Sequence, residues 1–309
     1  MILRLKKIAL YIAVIAVASF GFTSLAQAFG ISPIKILLTV GQSASQTVVF
    51  KINNLSASTG ETTFKLSVLG VSQDEAGLPV FERGINTAEN WVYPESNLVK
   101  VKAGEIKSVN FIIKTPENAL PGSYYLGLAA EPVQQNSNGG LNSRLVSLLT
   151  LQVEGLVNES LGIEKWNLQA GAVANDVWKF DLLLKNNGDI EVPMQAEVAI
   201  RNWQGEEIFA EPLVLGNKLL AGSKRALSPE ILLKRPVSND GTGHDSVESN
   251  KISLPGLYQA QIRVTYGKTN QSVSAIAYIW YLPLWSKVSA GLFGLVLVVI
   301  FVFLIKRKK

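Results

Sequence analysis

Thr62-Thr63-Phe64-Lys65-Leu66-Ser67-Val68-Leu69 puts Phe64, Leu66 and Val68 on one side of an extended chain and Lys65 and Ser67 on the other. A period of two describes a β-strand with one face on a core and one in water. The pattern recurs on both sides of this stretch. Upstream, Ile31 to Val40 is apolar and β-branched, with Pro33 confining its first part to an edge or a bend, and Gln46 to Asn53 follows. Downstream, Val109, Phe111 and Ile113 alternate with Ser108, Asn110 and Lys114. Tyr124 to Val133 and Leu145 to Val153 are more continuously apolar, as central strands are, and Gly, Pro, Asn and Ser punctuate the gaps. This half shows no amphipathic helix longer than a turn or two.

After Gly155 the pattern begins again. Leu161 to Leu168 reads as a strand, and Trp178 to Asn187 as another, with Phe180, Leu182 and Leu184 opposed to Asp181 and Lys185. Met194, Ala196, Val198 and Ile200 alternate with Gln195, Glu197 and Arg201, and Asn202-Trp203-Gln204-Gly205 is a hairpin turn into Glu207 to Val214. Ile262, Val264 and Tyr266 alternate with polar neighbours, and Ser272 to Tyr281 is the last strand. The halves share landmarks. Leu120-Pro121-Gly122-Ser123-Tyr124 returns as Leu254-Pro255-Gly256-Leu257-Tyr258, and Phe50-Lys51-Ile52-Asn53-Asn54 resembles Leu183-Leu184-Lys185-Asn186-Asn187. Val101-Lys102-Ala103-Gly104 likewise resembles Leu219-Leu220-Ala221-Gly222. The offsets, 134, 133 and 118 residues, differ because each half carries its own excursion, Val71 to Asn97 and Arg235 to Asn250. In L-P-G-x-Y, Pro-Gly suits a type II turn, and the Tyr opens a strand with its hydroxyl free to bond nearby backbone. Ala-Gly before a strand is a turn as well.

Two further segments frame this β-rich region. Val288 to Ile305 is 18 residues without a charge. As a helix it would rise roughly 27 Å, enough to cross the hydrocarbon core of a bilayer. Lys306-Arg307-Lys308-Lys309 follows it, and Trp280, Tyr281 and Trp285 precede it where aromatic rings favour the headgroup zone. A basic end of this kind stays in the cytoplasm, which places the strands outside. At the amino end, Arg4, Lys6 and Lys7 form a basic region, Ile8 to Phe22 an apolar one, and Ala26-Gln27-Ala28 has the small-x-small form of a signal-peptidase site. An uncleaved first membrane helix is the alternative. The formal charge of +5 is therefore targeting and anchoring charge: without the three cations of the amino end and the four of the tail, the part between carries −2. It holds no basic patch for a nucleic acid. The chain has no cysteine, which excludes thiol catalysis, Cys-ligated zinc and disulfide staples; core burial alone must hold the exported part.

Catalytic chemistry finds little purchase. His244 is the single histidine and lies in the Gly-rich stretch Ser238 to Asp245, without a G-x-S-x-G nucleophile elbow elsewhere, so it reads as a solvated loop residue. Asp240, Asp245 and Glu248 lack the spacing of an EF-hand calcium loop. The carboxylates Asp74-Glu75, Glu206-Glu207 and Glu82 suit solvated turns better than a glycosidase pair. No cofactor, metal or enzyme activity is expected. Aromatic residues are the candidates for partner binding. Trp91 and Tyr93 lie in the first excursion and Trp203 at a hairpin tip, where each either stacks on a sugar or protein partner or, for Trp91 and likewise Trp203, plugs the open end of its sandwich. Trp166 and Trp178 sit in strands and belong to the core.

The opening Ile31-Ser32-Pro33, the strand end Ile52-Asn53-Asn54 and Pro121-Gly122-Ser123-Tyr124-Tyr125-Leu126-Gly127, set in this overall plan, resemble the WxL-interacting surface proteins of Gram-positive bacteria. The resemblance implies a first, peptidoglycan-binding domain and a second, host-protein-binding one; it carries no binding residue with it. These motifs are also strand-and-turn grammar common to bacterial Ig-like domains, pilus chaperones among them. The expected architecture is all-β. A signal peptide (1–28) precedes two Ig-like β-sandwich domains in tandem (29–155 and 156–283), a transmembrane helix with its interfacial flank (284–305) and a cytoplasmic tail (306–309). The expected function is non-catalytic: a single-pass plasma-membrane protein whose extracytoplasmic domains bind peptidoglycan or another surface protein. The alternatives are a membrane-tethered chaperone or assembly factor for exported subunits, which requires a hydrophobic unpaired edge strand and a basic anchor between the domains, and a wall-active hydrolase.

Overall fold

The structure is a computed structural model in which residues 29–55, 60–133, 144–174, 177–216, 218–232 and 255–307 are described. The expected signal peptide at 1–28, the His244 loop, and Lys308 and Lys309 lie outside these residues. The chain forms two compact units. One takes the chain through Val71, Phe81–Leu120 and Tyr124–Glu154; the other takes Ser72–Val80, Pro121–Ser123 and everything from Gly155 onward.

The first unit holds β1 (Phe29–Ser32), β2 (Lys35–Val40), β3 (Ser45–Asn54), the long β4 (Glu61–Gln73), β5 (Pro79–Glu82), β6 (Val92–Pro94), β7 (Leu98–Lys102), β8 (Ile106–Lys114), β9 (Gly122–Pro132) and β10 (Leu145–Val153), except that the end of β4 from Ser72, the start of β5 through Val80, and Gly122 and Ser123 of β9 group with the second. One sheet has the order β1-β3-β8-β6, the other β2-β10-β9-β4-β5, with β7 also on β4. Every pairing with a described register is antiparallel except β2 on β10, where Lys35 to Val40 run parallel to Leu148 to Val153. The alternation read from the sequence decides which side chains meet between the sheets. Phe50 and Ile52 of β3 and Phe111 and Ile113 of β8 face Phe64 and Leu66 of β4, Leu126 and Leu128 of β9, and Leu149 and Leu151 of β10 in one buried cluster. Phe50 and Phe111 meet edge to face at 5.9 Å, the arrangement that ring quadrupoles favour.

The second unit holds β11 (Leu161–Ala174), β12 (Val177–Asn186), β13 (Met194–Arg201), β14 (Glu207–Leu213), β15 (Lys224–Leu227), β16 (Glu230–Leu232), β17 (Gly256–Tyr266), β18 (Gln271–Tyr281) and the helix α1 (Leu284–Arg307). Its sheets are β11-β12-β15, with β16 also on β12, and β14-β13-β17-β18. Trp166, Trp178, Phe180, Val198, Ile200, Tyr258 and Ile262 share its core. Trp166 stacks on Phe180 at 4.4 Å and donates its indole N–H to the Ala260 carbonyl at 2.9 Å. Both strand tryptophans are thus core residues. The short β15 and β16 escaped the sequence pattern, because three or four residues give no readable period. Helix α1 starts against Pro283, whose carbonyl accepts from the Ser286 hydroxyl at 2.7 Å and the Ser286 amide at 3.0 Å. Trp285–Arg307 is long and apolar enough to cross a membrane.

Two local expectations need correction. The Pro-Gly pairs do not make type II turns: Gly122 sits at φ +148 and opens β9, and Gly256 has no positive φ and opens β17. What Gly122 supplies is space, since a Cβ there would lie 2.9 Å from the Asp189 carbonyl oxygen, which accepts from the Ser123 amide. And Ile31 to Val40 is not one strand. It divides at Pro33, which follows a cis peptide bond: β1 joins one sheet and β2 the other. The expectations for the Ala-Gly turns and the tyrosine hydroxyl do match: Gly104 and Gly222 take φ +76 and +72, and Tyr124 donates to the Leu120 carbonyl at 3.0 Å.

Candidate functional site: an open sheet edge and exposed aromatics

Past Pro33, β2 lies at the end of its sheet. The Pro33 carbonyl is held by the Ser147 hydroxyl at 2.6 Å, and the carbonyls of Ile34 and Val40 accept from the Leu148 and Glu154 amides of the β10 side. With the alternation of a strand, the backbone groups of Ile34, Ile36, Leu38 and Val40 point to β10, while those of Lys35, Leu37 and Thr39 point to the side on which the sheet ends. Ile36, Leu38 and Val40 pack on the core. Leu37 and Ile34 do not: they are 66% and 75% exposed. β2 contains no proline, and its one charge is Lys35 at its start. Among the described residues no strand pairs with this side of β2, and an edge with unpaired backbone groups and an apolar side chain is a template for another strand.

The three aromatic candidates are placed differently. A 3-10 turn at Thr87–Trp91 is fixed by a capping box, in which Asn86 accepts from the Ala88 amide at 3.0 Å and Glu89 accepts from the Asn86 amide at 3.0 Å. The turn directs the Trp91 ring inward, where it lies half-buried against the first core and 4.7 Å from the Tyr124 ring. Tyr93, 38% exposed on the edge strand β6, has the Lys114 ammonium 5.8 Å from its ring centroid. Trp203 is 65% exposed at its hairpin tip. Trp91 and Tyr93 belong to the first unit, and Trp203 to the second.

The carboxylates occupy turns and surface pairs. Asp74 accepts from the Leu78 amide at 2.7 Å, Glu206 from the Asn202 side-chain amide at 3.1 Å, and Glu207 pairs with Arg201 at 2.8 Å. Among the described residues no group of three His, Cys, Asp or Glu side chains stands close enough to share a metal ion. A concavity of about 590 Å³ opens on β13, β14 and β17, with Glu197, Glu211 and Arg263 among its lining. Asp181 of β12 accepts from Lys165 at 2.7 Å and Gln169 at 2.8 Å, and these bonds hold its carboxyl below the usual aspartate range. Burial pulls the Arg225 guanidinium down from its usual value and pushes the Tyr258 hydroxyl up. Arg225 donates to the Leu215 and Lys218 carbonyls at 3.0 and 3.4 Å, so within its unit it ties down a loop.

The exposure of β2 was not visible to sequence reading. The sequence offers one signal, the proline inside an apolar run, but not the parallel partner that leaves the other edge without a strand among the described residues.

No family model matches the chain, and no curated protein matches it. Several solved structures are similar in outline. The class 5 fimbriae chaperone CfaA shares 12% identity over 83% of this chain and 100% of its own, with a TM-score of 0.44. A chain of the CsuC–CsuE chaperone–tip adhesion subunit pre-assembly complex from Acinetobacter baumannii shares 13% over 81% of this chain and 98% of its own, with a TM-score of 0.38. The Pseudomonas aeruginosa CupB2 chaperone shares 8% over 80% and 98%, with a TM-score of 0.33.

Proposed function

We infer that this chain is a membrane-tethered assembly factor that holds exported protein segments by strand addition at the open edge of β2. The observation that carries the reading is the edge itself: Lys35, Leu37 and Thr39 direct backbone groups away from β10, and Leu37 stands 66% exposed beside them. Strand addition draws affinity from main-chain hydrogen bonds and specificity from alternate side chains. Leu37 supplies one apolar contact on the outer face, and Ile34 another at the strand's entry. The likeness to fimbrial chaperones adds no weight at those TM-scores. In this reading α1 is the tether, and its basic end at Lys306 and Arg307 keeps the tail in the cytoplasm and the β-units outside. The broader reading, a surface protein that binds another surface protein, would use the same edge. A wall glycan would instead call on Tyr93, the more exposed aromatic of the first unit.

The test uses the full chain in lipid nanodiscs and fluorescent peptides that alternate apolar and polar residues, with the same residues in scrambled order as the control. Alternating peptides should bind and scrambled ones should not, and Leu37→Lys should weaken the binding about tenfold or more, the equivalent of about 1.4 kcal/mol. Equal binding of both peptide sets, no binding at all, or binding indifferent to Leu37→Lys would overturn the reading.

A further inference from the structure

The outward residues of β18 change character along the strand. From the far end they are Ser272, Ser274, Ile276, Tyr278, Trp280 and, just past the strand, Leu282. The last four are exposed, with Tyr278 at 63% and Trp280 at 72%. The inward residues, Val273, Ala275, Ala277 and Ile279, pack on the core throughout, so the change is confined to the outer face. It runs toward α1: Pro283 follows, and Trp285 stands exposed on the first turn of the helix.

A second element of the same sheet repeats the trend. β17 begins at Gly256, which pairs with Tyr281 at the end of β18. A Cβ at Gly256 would come 3.2 Å from Cδ1 of Trp203, so the hairpin between β13 and β14 brings its exposed tryptophan to the very end of the sheet from which α1 departs. The opposite end, the turn between β17 and β18, is polar. There Glu159 accepts from the Lys268 amide at 3.0 Å and from the Thr269 hydroxyl at 3.3 Å. One end of the sheet thus carries Trp203, Tyr278, Trp280, Leu282 and Trp285, and the other carries Lys268, Thr269, Asn270 and Gln271.

We propose that this aromatic end of the second unit is seated in the lipid headgroup layer, with Trp203, Tyr278 and Trp280 as interfacial anchors beside the membrane helix. The occupant is the bilayer, because the surface is continuous with an apolar helix of crossing length and grades from serine to tryptophan toward it. Amphipathic rings on solvent-exposed positions next to a span suit the headgroup zone, where the ring body leaves water and the indole N–H or hydroxyl keeps a polar partner. Glu206 on the same hairpin stays hydrated at that depth and is held by Asn202. The inference rests on the reading of α1 as a tether, and it gives Trp203 a lipid rather than a protein or sugar to meet.

The chain has no cysteine, so single spin labels can be placed without background. The full chain is reconstituted in vesicles of phosphatidylethanolamine and phosphatidylglycerol with a label at Trp203→Cys, Tyr278→Cys, Trp280→Cys, Ser272→Cys or Val296→Cys. Collision with oxygen and with a water-soluble nickel complex reads the depth of each. The labelled positions in the sandwich are exposed, and circular dichroism checks that each variant keeps its strands. Val296 should read as hydrocarbon and Ser272 as water. Trp203, Tyr278 and Trp280 should read as interface, with nickel collisions several-fold below those at Ser272. Water-like readings at Trp203 and Trp280 beside a hydrocarbon reading at Val296 would overturn the seat while leaving the tether intact. A water-like Val296 would remove the tether and the seat together. Labels at Trp203 and Trp280 shielded from both reagents would mean a protein covers this end, a second copy included, and would also overturn the proposal.

Discussion

The edges of the sheets are finished in two different ways. β14, an end strand of the second unit, carries Glu207 and Glu211, places Pro212 in the strand and pairs with β13 across a register shift between Ile200 and Arg201. β11, another end strand, lies under ion pairs: Glu164 reaches Lys224 at 2.7 Å and Lys185 at 3.8 Å, while Lys165 reaches Asp181 at 2.7 Å. Charge, proline and bulges are the devices by which natural sheets prevent edge-to-edge pairing. β2 uses none of them beyond Lys35, and it exposes Leu37. β14 and β11 are thus guarded, whereas β2 is not; β18, an end strand without a charge, exposes Tyr278 and Trp280 beside α1. An open edge that persists beside closed ones is better explained by a use than by neglect, and that difference carries the functional reading.

β2, β11 and β14 differ at their edges, whereas the two cores should behave alike. Phe50→Ala in the first unit and Phe180→Ala in the second remove fully buried rings, and each should cost about 3–5 kcal/mol of stability in its own unit. Chemical denaturation of the full chain in detergent micelles, followed separately in each unit by a placed probe, would check it. The next largest effect is at the open edge. Leu37→Lys should abolish most peptide capture yet shift stability by no more than about 0.5 kcal/mol, because an exposed side chain contributes little to folding. A large loss of stability would show that Leu37 is structural.

The converse change is smaller and sharper. Pro212→Val with Glu211→Thr and Glu207→Thr strips β14 of its proline and its charges, and it should give that edge a measurable affinity for alternating peptides, or drive pairing of two copies that analytical ultracentrifugation would detect. If the stripped edge stays inert, charge and proline are not what separates it from β2. The smallest effect lies on β11. Because the Asp181 carboxyl is held low, its cross-strand bond to Lys165 is intact above the ordinary aspartate range and is lost as pH falls through the lowered folded value. Lys165→Ala should therefore move the Asp181 titration, read by NMR, back up toward the ordinary value.

Much of this fold was legible in the sequence, for reasons specific to each stretch. Phe64, Leu66 and Val68 could be assigned to a core because alternation depends only on local geometry. The apolar span before Lys306 was legible because length and charge alone define it. What stayed hidden depends on partners distant in sequence. Nothing near Lys35 announces that it will pair in parallel with Leu148, 113 residues later. Pro33 signals a bend, but the assignment of β1 and β2 to different sheets needs both sheets in view. Gly122 looked like a turn residue because Pro precedes it; its reason is the Asp189 carbonyl. For Trp91 the sequence leaves two readings open, a partner contact or a plug at the end of its sandwich, and the capping box at Asn86 and Glu89 turns the ring inward as the plug requires. Trp203 was visible as a hairpin tip, but its nearness to Gly256 and to the start of α1 follows from strand pairing.

The most direct test of the open edge is amide hydrogen exchange of β2 in the full chain in nanodiscs, with and without an alternating peptide. Lys35, Leu37 and Thr39 should exchange fast alone and slow at least tenfold when the peptide is bound, while the amides of β14 stay unchanged. Protection that appears on β14 with β2 unaffected, or no protection on either strand at saturating peptide, would contradict the account.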